Sequence, residues 1–336
     1  MNEKHHILWT RRGCAIFFIL LIAVVAFTGC GEKKGQKEYE EGINFYTVQQ
    51  YESAVKQFAA AANLGHAEAQ NQLGHCFAEG KGVKQDDAEA IKWFRKAAEQ
   101  GIAESQYILG CAYNEGIGGL PVDLEEAAKW LEKATKQGNT EAQNVLDPIK
   151  KVVKLLESAK KGDADAMFAL SIAFYNGDGV KRNRMEAVRW AKKAAENGDA
   201  TSMYNLYLFY THGDGVKQDM QEAINWLIKA GDKGSPQACI RLGLEYSSGK
   251  NVKKDYAEAV KWYKMGLLLL KGRDLGNNLL TSQDLQTIAA EGLAMIYQEG
   301  GNGVQKDMTE AVKWYRRAAE LGSSFAKNQL KELDGK

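Results

Sequence analysis

Tryptophan recurs at a nearly fixed interval, and that period limits what this chain can fold into more than any other property. Trp93, Trp130, Trp190, Trp226, Trp262 and Trp314 are separated by 37, 60, 36, 36 and 52 residues. The 60 holds one period and a truncated unit of 24; the 52 holds one period and an insertion of 16. A fixed period in this range marks a solenoid, in which each unit buries its apolar face against the next. The 336 residues therefore need not close around one compact core.

Every unit repeats the same pattern. Its first half places a small residue, then leucine four positions on, another small residue, an aromatic and a glycine. Ala69, Leu73, Gly74, Phe77 and Gly80 show it, as do Ala166, Leu170, Ser171, Phe174 and Gly177, and Ala238, Leu242, Gly243, Tyr246 and Gly249. Spacings of three and four set these residues on one helical face, and the closing glycine suits a left-handed C-terminal position. A Gly-x-Gly-Val loop follows at 80–83, 177–180 and 213–216. Next comes an acceptor side chain with glutamate three residues later: Asp86/Glu89, Asp123/Glu126, Asn183/Glu186, Asp219/Glu222, Asp255/Glu258 and Asp307/Glu310. This is the spacing of a capping box, and it predicts six helix starts. The tryptophan stripe and an Ala-Ala-x-x-Gly ending complete the second helix, so the unit reads helix, glycine loop, capped helix.

The N-terminus reads differently. Lys4, Arg11 and Arg12 precede an apolar run from Cys14 to Phe27, which is the layout of a secretory signal. The run ends Phe27-Thr28-Gly29-Cys30, which resembles the bacterial lipobox, with Phe27 where leucine is usual. That resemblance implies lipidation of Cys30. The competing reading is an uncleaved anchor, for which the run is short against the roughly 20 residues that span a bilayer. Both readings export the rest of the chain, membrane-anchored and facing the periplasm or cell exterior, with residues 31–37 as a flexible leash. Of 44 basic and 43 acidic residues, Lys4, Arg11, Arg12 and Glu3 fall in the first 29, leaving a remainder that is slightly acidic. Such a balance lacks the basic field of a nucleic-acid binder. Cys76, Cys111 and Cys239 remain, an odd number, so at least one has no partner within the chain. Buried free thiols are the favoured reading, with a Cys76–Cys111 bridge left open.

The combined Leu-Gly-x-x-Tyr, Gly-x-Gly-Val and Ala-x-x-Trp elements resemble the SEL-one-like repeat (SLR) family, relatives of the tetratricopeptide repeats, over roughly residues 66–322. Gly42, Phe45, Tyr51, Ala54, Phe58 and Ala61 resemble a tetratricopeptide hairpin. The resemblance implies an all-α, right-handed superhelical solenoid of antiparallel helix pairs with a concave groove, acting as an adaptor for proteins. The expected layout is a signal peptide at 1–29, a tether at 30–37, a tetratricopeptide-like hairpin at 38–65 and two repeats at 66–138. A truncated repeat or joint at 139–162, in which Pro148 interrupts the helix, separates these from four repeats at 163–322. An insertion near 266–288 lengthens the fifth unit's second helix, and a capping helix occupies 323–336.

Enzymatic signatures are weak. Ser-x-x-Lys occurs at Ser53, Ser158 and Ser324, but the Ser-Asp-Asn and Lys-Thr-Gly partners of a serine β-lactamase are absent. Some related cysteine-rich proteins have been called penicillin-binding or β-lactamase, but their paired cysteines are missing here. The few histidines and the lack of His-Glu-x-x-His or Cys-x-x-Cys argue against a metal. No cofactor or small-molecule substrate is expected. The tryptophans read as core between units rather than as a ligand box. By analogy with tetratricopeptide hairpins, the first helices line the groove. Positions flanking each leucine by two include Tyr107, Phe168 and Tyr204, and on the other side Ile172, Leu208 and Leu244, with Asn114, Tyr175, Thr211 and His212 at the rim. This strip suits a peptide or helix from a protein partner. A cell-wall-related penicillin-binding or β-lactamase-like enzyme and a purely structural lipoprotein are the two alternatives.

Overall fold

The computed structural model describes residues 33–271 and 281–334. Among them are sixteen helices and no strand beyond an isolated bridge between Gly301 and Val304. The chain divides into two compact units, one ending at Val153 and including the loop Gly179–Lys181, the other holding the rest. The proposed signal and Cys30 lie outside the described residues.

The first unit pairs α1 (Gln36–Thr47) with α2 (Tyr51–Asn63), α3 (Ala67–Glu79) with α4 (Asp87–Glu99), and α5 (Ala103–Glu115) with α6 (Leu124–Lys136). α1 begins ahead of the expected hairpin, and Gly35, assigned above to the tether, is buried. A Cβ there would lie 2.9 Å from the Ala61 Cα, so the end of the leash belongs to the folded hairpin.

α7 (Thr140–Lys160) corrects the expectation at Pro148. It is one helix of 21 residues that runs through the proline without interruption. Pro148 forfeits one backbone hydrogen bond, yet Leu146, Ile149 and Val152 on either side are almost fully buried. That continuous apolar face holds the helix together, and the boundary between the two units falls inside it.

The second unit pairs α8 (Ala164–Asn176) with α9 (Arg184–Glu196), and α10 (Ala200–His212) with α11 (Met220–Asp232). It continues with α12 (Pro236–Ser248) on α13 (Tyr256–Leu270) and α14 (Ser282–Glu299) on α15 (Met308–Glu320), and ends with α16 (Ser324–Asp334). α13 has 15 residues against 13 in α9 and α11, the expected lengthening. Residues 272–280 of the insertion lie outside the described residues.

All six predicted acceptors cap their helices. Asp86 accepts from the backbone of Ala88 and Glu89, and Asp123, Asn183, Asp219, Asp255 and Asp307 each accept from the glutamate three residues on. The reciprocal half of the capping box is not made at these sites. Each cap's own N–H already donates to the aromatic carbonyl of the preceding helix: Asp86 to Phe77 (3.0 Å), Asn183 to Phe174 (2.8 Å), Asp255 to Tyr246 (2.9 Å). Most of the glutamates turn outward to a cation three residues on, as Glu89 to Lys92 and Glu310 to Lys313. Asp219→Ala is therefore expected to cost about 1 kcal/mol in urea unfolding, and Glu222→Gln only about a few tenths, within the scatter of surface substitutions.

Between helices, size is matched across the interface. A Cβ on Gly74 would meet the Phe94 ring at 2.7 Å, one on Gly110 the Leu131 side chain at 2.6 Å, and one on Gly243 the Tyr263 ring at 2.5 Å. Glycine in the first helix thus makes room for a large residue in the second. In the third repeat both positions are small, Ser171 and Ala191, and both are fully buried. Ala191 instead shares a core with Tyr207, which stands in the fourth repeat where the first, second and fifth have glycine.

The tryptophans pack as expected, Trp93, Trp130, Trp190, Trp226 and Trp262 being 7–9% exposed. Each of the first four lies under the lysine one turn on, with Lys96, Lys133, Lys193 and Lys229 at 3.8–4.3 Å from the ring. The indole gains a cation on its outer face while the lysine head stays near solvent. Cys76, Cys111 and Cys239 are buried and not disulfide-bonded, and burial pushes the Cys76 thiol up to about 12 and Cys239 to about 11. Such thiols are inert at neutral pH. Among the described residues, no helix is long and apolar enough to cross a membrane.

Candidate partner-binding cleft

The candidate groove residues divide between the two units. Tyr107 and Asn114 are half-buried on α5 in the first; Tyr107 packs on a core that includes Leu131 and Ile149. The Asn114 amide oxygen is buried without a hydrogen-bond partner. Phe168, Tyr175, Tyr204, Thr211 and His212 belong to the second unit, on α8 and α10.

The structure brings two of these five together. Tyr175 and His212 line one open cleft of about 610 Å³ between the third and fourth repeats. Its floor is Ile172, Leu208 and Phe209. The first two of these hold the positions two residues after the repeat leucines, Leu170 and Leu206. Because α8 and α10 are in equivalent register, these side chains recur one repeat apart on the same face.

Phe168, Tyr204 and Thr211 do not line the cleft. Tyr204 packs against Tyr207, ring centres 5.7 Å apart, as part of the core of the second unit. Burial raises its phenol above the ordinary tyrosine range. The Thr211 hydroxyl donates to the Tyr207 carbonyl one turn back (2.7 Å), and Phe168 is half-buried.

Two charged lining residues, Arg184 and Asp214, escaped the sequence reading. Asp214 is the middle residue of the Gly213–Gly215 loop, and Arg184 opens α9 directly after its cap. The Tyr175 hydroxyl donates to Asp214 (2.9 Å), and Arg184 pairs with the same carboxylate. Donating that bond, and then burial, lift the Tyr175 phenol above its usual range. Arg182 and Arg184 also lie 5.8 and 5.6 Å from the Tyr175 ring centre. The first unit makes the same contact with inverted chemistry, where Lys81 in the middle of its loop donates to the Tyr46 hydroxyl (3.1 Å). That shared register was the available signal. His212 Nδ1 donates to the Leu208 carbonyl (2.8 Å), which leaves Nε2 as the acceptor of the neutral ring.

An apolar floor under a rim of arginine, aspartate, tyrosine and histidine offers both burial and hydrogen-bonding groups in one opening. Ser53–Lys56 and Ser324–Lys327 each lie one turn apart along a single helix, α2 or α16, whereas Ser158 is in α7 and Lys161 falls just past its end. Among the described residues, no group of three or more His, Cys, Asp and Glu is arranged to hold a metal ion.

Searching the curated proteins returned no match. Several solved structures are similar to the chain. The crystal structure of c5321, a protective antigen of uropathogenic Escherichia coli displaying an SLR fold, is 26% identical over 90% of this chain, with a TM-score of 0.45. This chain spans only 64% of that protein's length. A Sel1 repeat protein from Oxalobacter formigenes is 30% identical, with 84% of this chain and 99% of that one covered and a TM-score of 0.39. A Sel1 repeat protein of Klebsiella pneumoniae is 21% identical over 73% of this chain and 99% of its own, with a TM-score of 0.30. The profile of the Sel1 repeat matches residues 67–102, 103–139, 164–199, 200–235, 236–269 and 287–323, most of the chain. The chain belongs to the Sel1 repeat family.

Proposed function

We propose that this Sel1 repeat scaffold is a non-catalytic adaptor that holds a segment of a protein partner on the face formed by its first helices. The observation that carries the reading is the open cleft lined by Ile172, Leu208, Tyr175 and His212. Apolar side chains held half-exposed beneath a charged rim suit a partner's side chain, which gains burial below and hydrogen bonds above. In the same reading, the basic start, the apolar run and the Gly29-Cys30 ending of the signal tether the scaffold to a membrane by lipid on Cys30, exported and facing the periplasm or cell exterior.

One capture experiment tests the pair. The chain from residue 30 and its Leu208→Arg variant are used as baits on solubilised membranes, with thermal melts of both. A protein retained by the first and lost from the second, at matching melting temperatures, is the expected result. Equal retention moves the interface off this cleft. In cells, Cys30→Ala is expected to abolish incorporation of labelled palmitate and to release the protein from the membrane fraction; unchanged labelling would remove the tether from the reading.

A further inference from the structure

A glycine breaks the repeat pattern and opens a second site. The residue before each repeat's leucine is Gln72, Ile108, Ala169, Asn205 and Arg241 in the first five repeats, and Gly292 in the sixth. A Cβ on Gly292 would stand 2.5 Å from Cζ of Tyr263 and 2.7 Å from its hydroxyl, so that ring occupies the space a side chain would take. Beside it lies a cleft of about 370 Å³ between the fifth and sixth repeats.

This cleft is the counterpart of the larger one. Leu244 and Met295 hold the register of Ile172 and Leu208, and Tyr256 holds that of Arg184. At the corresponding place between the two clefts stands Arg241, its guanidinium against Glu245 (2.9 Å) and 5.8 Å from the Tyr207 ring centre.

The charge differs. Where the first cleft balances Arg184 against Asp214, the second carries Glu291 and Glu299. The Tyr256 hydroxyl donates to Glu299 and the Ser323 hydroxyl to Glu291, so each carboxylate holds a neutral donor and keeps acceptor capacity to spare. Lys254, the cation among the lining residues, sits over the Tyr256 ring at 4.5 Å. Two carboxylates against one ammonium leave the opening acidic above an apolar wall.

We propose that this second cleft receives one lysine or arginine side chain of the protein partner, its stem along Leu244 and Met295 and its charged head at the opening that Glu291 and Glu299 make acidic. The proposal rests on the reading that this face binds protein, and adds the partner's chemistry.

A random-peptide phage library panned on the chain from residue 30 tests it. Retained peptides are expected to carry lysine or arginine beside apolar residues. They should bind the Glu291→Gln/Glu299→Gln variant about tenfold more weakly, since glutamine keeps the acceptors for Tyr256 and Ser323 but not the charge. Lys254→Ala, at an exposed residue, should tighten the same peptides, an effect of opposite sign that a folding defect does not produce. Peptides without basic residues, or equal affinity for all three chains, overturn the proposal. The adaptor reading survives that result if Leu208→Arg abolishes the same binding; a library yielding no binder overturns both.

Discussion

Gly215→Ala is expected to destabilise the second unit by about 3 to 5 kcal/mol, an unusually large loss for one methyl group. Gly215 has φ +75°, and a Cβ there would lie 2.3 Å from the carbonyl oxygen of Arg184 and 2.6 Å from its carbonyl carbon. Both obstacles are backbone, so no side-chain rotation relieves the clash, and the loop must lift off the start of α9. Gly82 and Gly179 make the same approach, to the carbonyls of Tyr51 and Pro148, so the second glycine of the loop docks on the helix two before it in the chain. Gly198→Ala is the control. It also requires a positive φ, +92°, but meets nothing within 4 Å, and its cost should stay near the roughly 1 to 2 kcal/mol of a left-handed non-glycine residue. Urea unfolding followed by circular dichroism separates the two. Equal losses would mean that the close approach contributes nothing.

Phe94→Ala is expected to cost about 3 to 5 kcal/mol, the range for emptying a fully buried aromatic site. Gly74→Ala should cost about 1 to 3 kcal/mol, because its methyl would enter the Phe94 ring at 2.7 Å. Together the two losses should be clearly less than additive, since the third repeat already pairs the small residues Ser171 and Ala191 at these positions. A double-mutant cycle in urea measures the coupling. Strict additivity would show that Gly74 and Phe94 are not paired by volume, and that glycine is there for another reason.

Much of this architecture was legible because repetition multiplies weak signals. One acceptor side chain three residues ahead of a glutamate means little, but six in register along the repeats fix the helix starts. The loop glycines and the buried tryptophans are local consequences of the same pattern. Pro148 was misread because a proline's local penalty shows in sequence, whereas the burial of Leu146, Ile149 and Val152 around it belongs to tertiary packing. The capping box was half right for a similar reason. Glutamate spacing reveals an available acceptor, but not that the N–H it would serve is already taken by the carbonyl of Phe77 or Tyr246. In the cleft, Ile172, Leu208, Tyr175 and His212 followed from helical register. Arg184 and Asp214 did not, because they reach it from the loop and the helix start. Tyr204 carries the right residue type at a groove position, yet its ring packs on Tyr207.

The hydrogen bond from each cap to the aromatic carbonyl before it fixes the span of every glycine loop from both ends. A loop held in this way by main-chain atoms places no demand on the identity of its middle residue. Lys81 and Asp214 occupy that position, carry opposite charges, and each meets a tyrosine hydroxyl. The middle residue thus behaves as a free letter in an otherwise fixed word. Duplication of a repeat followed by drift at this one site can rewrite the charge of a contact surface without the fold registering the change.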